Sequence, residues 1–344
     1  MKKILSIVII GLLVGCSFGV QGFSKQNNDK KTQFSPGDHF NFINFDGRLR
    51  TYRLHIPSSY DISNPMPLVF SLHGDGFPAV NSFTHKYYYA SDMDQKADEE
   101  GFILVYPNGG LFLYKDMINY PFYLSFLELL PILTFSRQWN HWNTSKLDDV
   151  GFIRTIINHL QTVLNIDSSR IYITGLSGGA MMTYQLGSEL SDVVAAIAPV
   201  AGASGGINSV TEPDDSLPLY TVPKPKNPLP IMILYGLNDV SYNGGWFNFL
   251  SFGPYQSWGY LLSAEESVSL WVEYNSCNII PDINESENGR IIIRSYTNLS
   301  TDSDVVFVTY LDGDHEWFKS PPYELSATDL IWDFFEDHPK GGFY

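Results

Sequence analysis

Only two cysteines, Cys16 and Cys277, stand in 344 residues. A disulfide framework is therefore excluded. Neither C-x-x-C nor H-E-x-x-H occurs, and the eight histidines are scattered singly, so the sequence offers no metal site. Basic residues are scarce as well: 21 Lys and Arg stand against 37 Asp and Glu, a net charge of −16. That sign disfavours nucleic acid and anionic membrane surfaces as partners and suits a solvated acidic surface. Long apolar runs are missing. The stretch at residues 4–14 is shorter than the roughly 18 residues a membrane-spanning helix needs. Preceded by Met1-Lys2-Lys3, it reads as the apolar part of a signal peptide. Aromatic residues, in contrast, are abundant at 15%.

The leader ends in Leu13-Val14-Gly15-Cys16, which resembles the lipobox of bacterial lipoproteins. The resemblance implies that residues 1–15 are removed, that Cys16 is lipidated, and that the protein is held at a membrane of the cell envelope by that lipid. Loss of Lys2 and Lys3 would leave a mature charge of −18. Residues 16–37 are polar, with Gln26-Asn27-Asn28-Asp29-Lys30-Lys31, and read as a flexible tether. Cys277 then has no partner within the chain and is expected as a small buried hydrophobe.

Residues 38–344 read as one domain, without internal repeat or second core. Two alternating segments around Asp46-Gly47 predict a hairpin. The continuous apolar run Pro67-Leu68-Val69-Phe70-Ser71-Leu72 suits a strand buried on both faces. Further strands are expected at 102–106, 171–174, 194–198, 231–235, 291–295 and 305–311. Helices are expected at 93–101, from the N-cap Asp148 to about 164, and at 265–274 and 327–336. Alternation of strand and helix implies a mostly parallel sheet covered on both faces.

The most informative stretch is Gly175-Leu176-Ser177-Gly178-Gly179, set between a strand and a helix. Strand, G-x-S-x-G, helix is the setting of a nucleophile elbow, which lifts the Ser177 hydroxyl above the sheet. A serine hydroxyl needs a base, and the base needs an orienting group. In chain order after Ser177, Asp239 follows the strand at 231–235 and His315 follows the strand at 305–311. Both fall in loops at carboxyl ends of strands, where sites form in open α/β sheets. His55, His73 and His85 precede the serine, His159 lies within a helix and His338 follows the last one, so each fits the role less well. An oxyanion hole needs two backbone N–H donors. Gly178 supplies one, and the loop His73-Gly74-Asp75-Gly76 supplies the other, through the Asp75 amide.

With these residues in view, the chain resembles the esterase family of polyhydroxybutyrate depolymerases and feruloyl esterases. The resemblance runs from about Arg50 to Phe335. It is carried by Arg50-Thr51-Tyr52, Leu72-His73-Gly74, Ala97-Asp98-Glu99-Glu100-Gly101-Phe102, Tyr106-Pro107-Asn108-Gly109, Trp139-Asn140, Asp148-Asp149-Val150-Gly151-Phe152-Ile153, Gly175 to Met182, Tyr242-Asn243-Gly244-Gly245 and Trp271 with Cys277. It implies an α/β-hydrolase fold and cofactor-free hydrolysis of carboxylic esters by Ser177, Asp239 and His315. Two departures stand out: Asp314 directly before His315, and Phe318 where the family has proline after the tryptophan.

Two aromatic-rich insertions, at 111–138 and 246–262, read as lid-like elements over the site. Trp142, Trp246, Phe247, Phe249 and Trp317 are the candidate substrate-binding side chains. The insertions favour a polyester or its oligomers as substrate; separately, a monomer is expected. A feruloyl or acetyl ester of plant polysaccharide is the alternative, and a non-catalytic glycan-binding lipoprotein the alternative of another class. Simple packing of an extra subdomain explains the same aromatics equally well.

Overall fold

A computed structural model describes residues 34–75, 92–113, 135–141, 147–209, 213–252 and 255–341. The leader, Cys16, most of the tether, Trp142 and the middle of the 111–138 insertion lie outside the described residues.

The strands are β1 (Gly37–Phe45), β2 (Arg48–Ile56), β3 (Met66–Leu72), β4 (Ile103–Pro107), β5 (Gly110–Leu113), β6 (Phe135–Gln138), β7 (Ile166–Leu176) and β8 (Ala196–Val200). They continue with β9 (Gly205–Ser209), β10 (Tyr220–Thr221), β11 (Ile231–Gly236), β12 (Gly245–Phe252), β13 (Tyr255–Leu261), β14 (Asp282–Glu285), β15 (Ile291–Tyr296) and β16 (Val305–Tyr310). The helices are α1 (Met93–Glu100), α2 (Asp149–Val163), α3 (Gly178–Glu189), α4 (Ala264–Tyr274) and α5 (Ala327–Asp337). Ten strands form one sheet in the order β1-β2-β4-β3-β7-β8-β11-β16-β15-β14. Its middle, from β4 to β16, is parallel; the hairpins β1–β2 and β14–β15 flank it antiparallel.

Local chemistry accounts for these elements. β3, β4, β8 and β11 are buried along their whole length, as strands covered on both faces must be. The β1–β2 turn places Asp46 and Gly47 at φ of 50° and 70°, the left-handed pair of a tight hairpin. Asp148 caps α2 by accepting from the Gly151 N–H at 2.7 Å. Ser263 and Glu266 form a reciprocal capping box on α4. Cys277 is buried, its Sγ 3.4 Å from the Ser303 carbonyl.

The 246–262 insertion forms the hairpin β12–β13 of a separate four-stranded sheet, ordered β10-β9-β13-β12. A second small apolar cluster, Met181, Ala203, Leu261 and Leu262, packs beneath it. The physical reason is that β9 follows β8 directly and presents an edge to which the aromatic hairpin pairs.

Candidate active site

Because β7, β8, β11 and β16 are adjacent and parallel, the loops that follow them leave the same edge of the sheet. Ser177, Asp239 and His315 all sit in those loops.

Ser177 has φ 58° and ψ −121°, a conformation that L-residues avoid and that costs about 1–3 kcal/mol. Close packing holds it there. The Ser177 N–H donates to the Val200 carbonyl at 3.0 Å, and the Met181 N–H donates to the Ser177 carbonyl at 3.0 Å. The glycines around it permit contacts that no side chain would. A Cβ on Gly175 would lie 2.6 Å from the Gly179 carbonyl oxygen, and one on Gly179 would lie 2.3 Å from that of Leu72. The helix start is thereby pressed onto the end of β3.

The Asp239 and His315 loops are laced together. The Leu237 N–H donates to the Tyr310 carbonyl and the Asn238 N–H to the Gly313 carbonyl, both at 2.9 Å. The His315 Nδ1 lies 2.7 Å from Asp239 Oδ2. The Asp239 side chain is fully buried, whereas that of His315 is 42% exposed. Asp239 Oδ1 accepts two further bonds, from the Ser241 N–H at 2.8 Å and the Ser241 hydroxyl at 2.7 Å. Burial alone would raise the Asp239 pKa. The His315 bond and charge and the Ser241 donors outweigh it and hold the carboxyl below its ordinary value. An ionised Asp239 keeps the imidazole proton on Nδ1 and leaves Nε2 as the basic nitrogen.

A buried frame holds the loop after β3. His73 Nε2 accepts from the Gly109 N–H at 2.9 Å, so its proton is on Nδ1, 2.8 Å from the Gly74 carbonyl oxygen. Trp139 donates its indole N–H to the His73 carbonyl at 2.8 Å, with the two rings 5.0 Å apart. Below it, Asp149 pairs with Arg50 at 2.6 Å and accepts the Asn140 N–H at 2.8 Å. The Arg50 guanidinium lies 4.0 Å from the Phe152 ring centre. The result brings Gly74 against Ser177: a Cβ there would lie 3.2 Å from Ser177 Cβ.

The candidate substrate-binding residues fare differently. Trp317 does not line a cleft. It is 2% exposed and donates its indole N–H to the Thr328 hydroxyl at 2.9 Å, so it is part of the core. Phe318 is buried next to it, stacked on Tyr310 with ring centres 3.9 Å apart. A Cβ on Gly313 would lie 2.7 Å from the Phe318 ring, which makes Phe318 the floor of the His315 loop. Trp246 is half-buried, hydrogen-bonded to Asp215 at 2.8 Å and packed edge-on against Tyr260. Phe247 packs on the small cluster that includes Met181 of α3. Successive strand residues point to opposite faces, so Trp246 and Phe247 do not form one wall. The Phe249 side chain and Trp142 lie outside the described residues. Ser241 and His141 are the site neighbours that sequence reasoning missed. Ser241 stands two residues after an aspartate, the spacing of an Asx turn, and that signal was available.

Among the described residues, Asp38, His55 and Asp94 lie close enough together to hold a metal ion. Arg53 already provides the cation there, bonded to Asp38 and, at 2.5 Å, to Asp94.

Comparison with known proteins agrees with the motifs. No protein-family model matches the chain. A bifunctional acetylxylan esterase/xylanase of Neocallimastix patriciarum is 27% identical over 192 residues, covering 55% of this chain and 22% of that protein. Feruloyl esterase B of Piromyces equi is 31% identical over 153 residues, 43% of this chain and 26% of that protein. Poly(3-hydroxyalkanoate) depolymerase C of Paucimonas lemoignei is 42% identical over 50 residues, 14% of this chain and 12% of that one. The chain thus spans about a quarter or less of the length of these relatives. Among solved structures, acetyl xylan esterase from Aspergillus awamori superimposes with a TM-score of 0.50 at 12% identity, covering 87% of this chain and 99% of that one. Native pOPH gives a TM-score of 0.54 at 14% identity, covering 92% and 91%. The fold is that of the α/β-hydrolases, and the sequence relatives are feruloyl esterases, an acetylxylan esterase and a polyhydroxyalkanoate depolymerase.

Proposed function

We propose that this protein is a serine carboxylic-ester hydrolase. The observation that carries the reading is the strained Ser177 elbow on the same sheet edge as the Asp239–His315 pair. His315 Nε2 takes the Ser177 proton as the hydroxyl attacks the ester carbonyl, and the Gly178 and Asp75 amides receive the charge that develops on oxygen. The alcohol leaves with a proton from His315. Water, activated by the same imidazole, then releases the acid from Ser177. Asp239 stabilises the imidazolium throughout.

The substrate reading shifts toward an acyl ester of plant polysaccharide, feruloyl or acetyl. The polyester reading rested on the two aromatic insertions; in the second, Trp246 and Phe247 are half-buried in packing contacts, and the aromatic side chains of the first lie outside the described residues. The depolymerase relative keeps polyester as the second reading. The glycan-binding alternative leaves the Asp239–His315 pair without a purpose.

The test is a panel of p-nitrophenyl esters, methyl ferulate, acetylated xylan and hydroxybutyrate oligomers, run on wild type and Ser177→Ala. The variant is expected to fold and to lose at least about a thousandfold in turnover. Turnover near wild type in the variant would reject the assignment.

The lipid anchor on Cys16 belongs to the same proposal and places the enzyme at the cell envelope. Cys16→Ala should leave the membrane fraction or remain unprocessed. Persistence in salt-washed membranes would reject the anchor.

A further inference from the structure

The Asp75 carboxyl occupies an unusual place. A Cβ on Gly178 would lie 2.4 Å from Asp75 Cγ and Oδ2 and 2.6 Å from Oδ1, so the carboxyl fills the space that the missing side chain leaves open. Gly178 has no left-handed φ that would require glycine. The Asp75 carboxyl, the far end of its side chain, occupies the space a Cβ would take. The same carboxyl therefore rests beside the backbone amide that the proposed mechanism turns toward the ester oxygen. His141 faces it from the turn after β6, its Nδ1 3.9 Å from Asp75 Oδ2.

We propose that the Asp75 side chain is a specificity-determining residue of this site: seated on Gly178, it sets the charge that the acyl oxygen meets, so that neutral esters are accepted and a carboxylate, including the acid product, is repelled. The inference rests on the ester-hydrolase reading for the meaning of "product", and on geometry for the placement.

The surroundings decide when that charge is present. Asp75 is an exposed residue, and its side chain is 31% exposed. Burial pushes the Asp75 carboxyl up to about 7; a Trp139 backbone N–H opposes the rise and the nearby Asp149 charge adds to it. Among the described residues, the Trp139 backbone N–H is what favours its ionised form, and the neighbouring side chains add no cation. His141 is pushed down to about 4, chiefly by burial against a smaller opposing effect of a Trp139 backbone bond, so it is neutral where Asp75 titrates. His73, on the same loop, accepts from Gly109 through Nε2. Asp149, at the start of α2, is paired with Arg50. From α3, Asp75 meets Gly178. Below about pH 7 Asp75 is neutral and compatible with a developing oxyanion; above it, two negative charges share the pocket.

The experiment measures butyrate binding by titration calorimetry at pH 5.5 and pH 8.0 in wild type, Asp75→Asn and Asp75→Ser. Turnover of p-nitrophenyl butyrate across the same range is followed in parallel. At pH 8.0 both variants should bind butyrate at least about fivefold more tightly than wild type, since each pKa unit of like-charge repulsion is worth about tenfold. At pH 5.5 the three proteins should agree within about twofold. The wild-type kcat/KM should decline from about pH 6.5 upward, and the variants should lose that decline. A merely structural role would lower activity or binding by the same factor at both pH values, and that result overturns the proposal. So does a butyrate Kd unchanged by both substitutions at pH 8.0. Calorimetry does not depend on turnover. If wild type hydrolyses no ester that Ser177→Ala abolishes, the hydrolase reading fails separately while the charge filter is still decided.

Discussion

The two sheets of this protein carry aromatic residues to opposite ends. Around the β11–β16 part of the large sheet and its loops, rings pack into the interior: Trp317, Phe318, Tyr310 and Tyr235 are all buried, and Phe318 supports the turn that presents His315. In the small sheet, Trp246, Phe247 and Tyr260 remain half-buried and hold one another and the edge of α3. The difference teaches that aromatic content near a site is no measure of a substrate cleft. The rings closest in sequence to His315 are scaffold, and Phe247 and Tyr260 of the accessory sheet pack against Met181 of α3.

Four changes would break or sharpen this contrast. The largest effect belongs to Asp239→Asn. It leaves the shape intact but lets the imidazole adopt the wrong tautomer, and kcat on a short ester should fall about 10³–10⁴-fold with unchanged circular dichroism. A loss below tenfold would mean that the His315–Asp239 pair is not a catalytic couple. Next comes Phe318→Ala. Emptying a fully buried ring site should destabilise the fold by about 3–5 kcal/mol in denaturant titrations and also loosen the His315 turn. If activity drops while stability holds, Phe318 serves the site directly and not the core. The smallest effect is expected from Trp246→Ala and Phe247→Ala, about 1 kcal/mol each for half-buried rings. The informative quantity is the ratio of ferulate to acetate ester turnover. An unchanged ratio assigns both rings to packing, whereas a selective loss on ferulate of about fivefold or more restores them to the substrate surface.

Much of the site was legible in the sequence for one physical reason. Ser177, Asp239 and His315 each follow a run of buried apolar residues, and such runs can only be central strands of a covered sheet. Parallel strands then send the loops after them to one edge. The motif residues Arg50, Asn140 and Asp149 were also visible, yet their task was not: they form a buried frame under the His73 loop. What stayed hidden were relations between side chains distant in sequence. Nothing in the string says that Trp317 bonds Thr328 or that the Asp75 carboxyl lies on Gly178, because a tryptophan reads the same in a core as in a cleft. The accessory sheet was missed because β9 and β10 are short and polar, and only their pairing with the hairpin makes them strands.

The two ends of the β12–β13 hairpin meet. A Cβ on Gly244 would lie 2.5 Å from the Ser263 nitrogen, and the Ala264 N–H donates to the Tyr242 carbonyl at 2.9 Å. Between these points the hairpin also pairs through β13 with β9 and rests on Met181 and Ala203, so the pinch is one attachment among several. Lengthening a loop is cheap in closure entropy. A hairpin of another length that keeps the β9 pairing can therefore be accommodated with little displacement of Asp239, five residues upstream of Gly244, because the pinch fixes where the chain enters and leaves the small sheet.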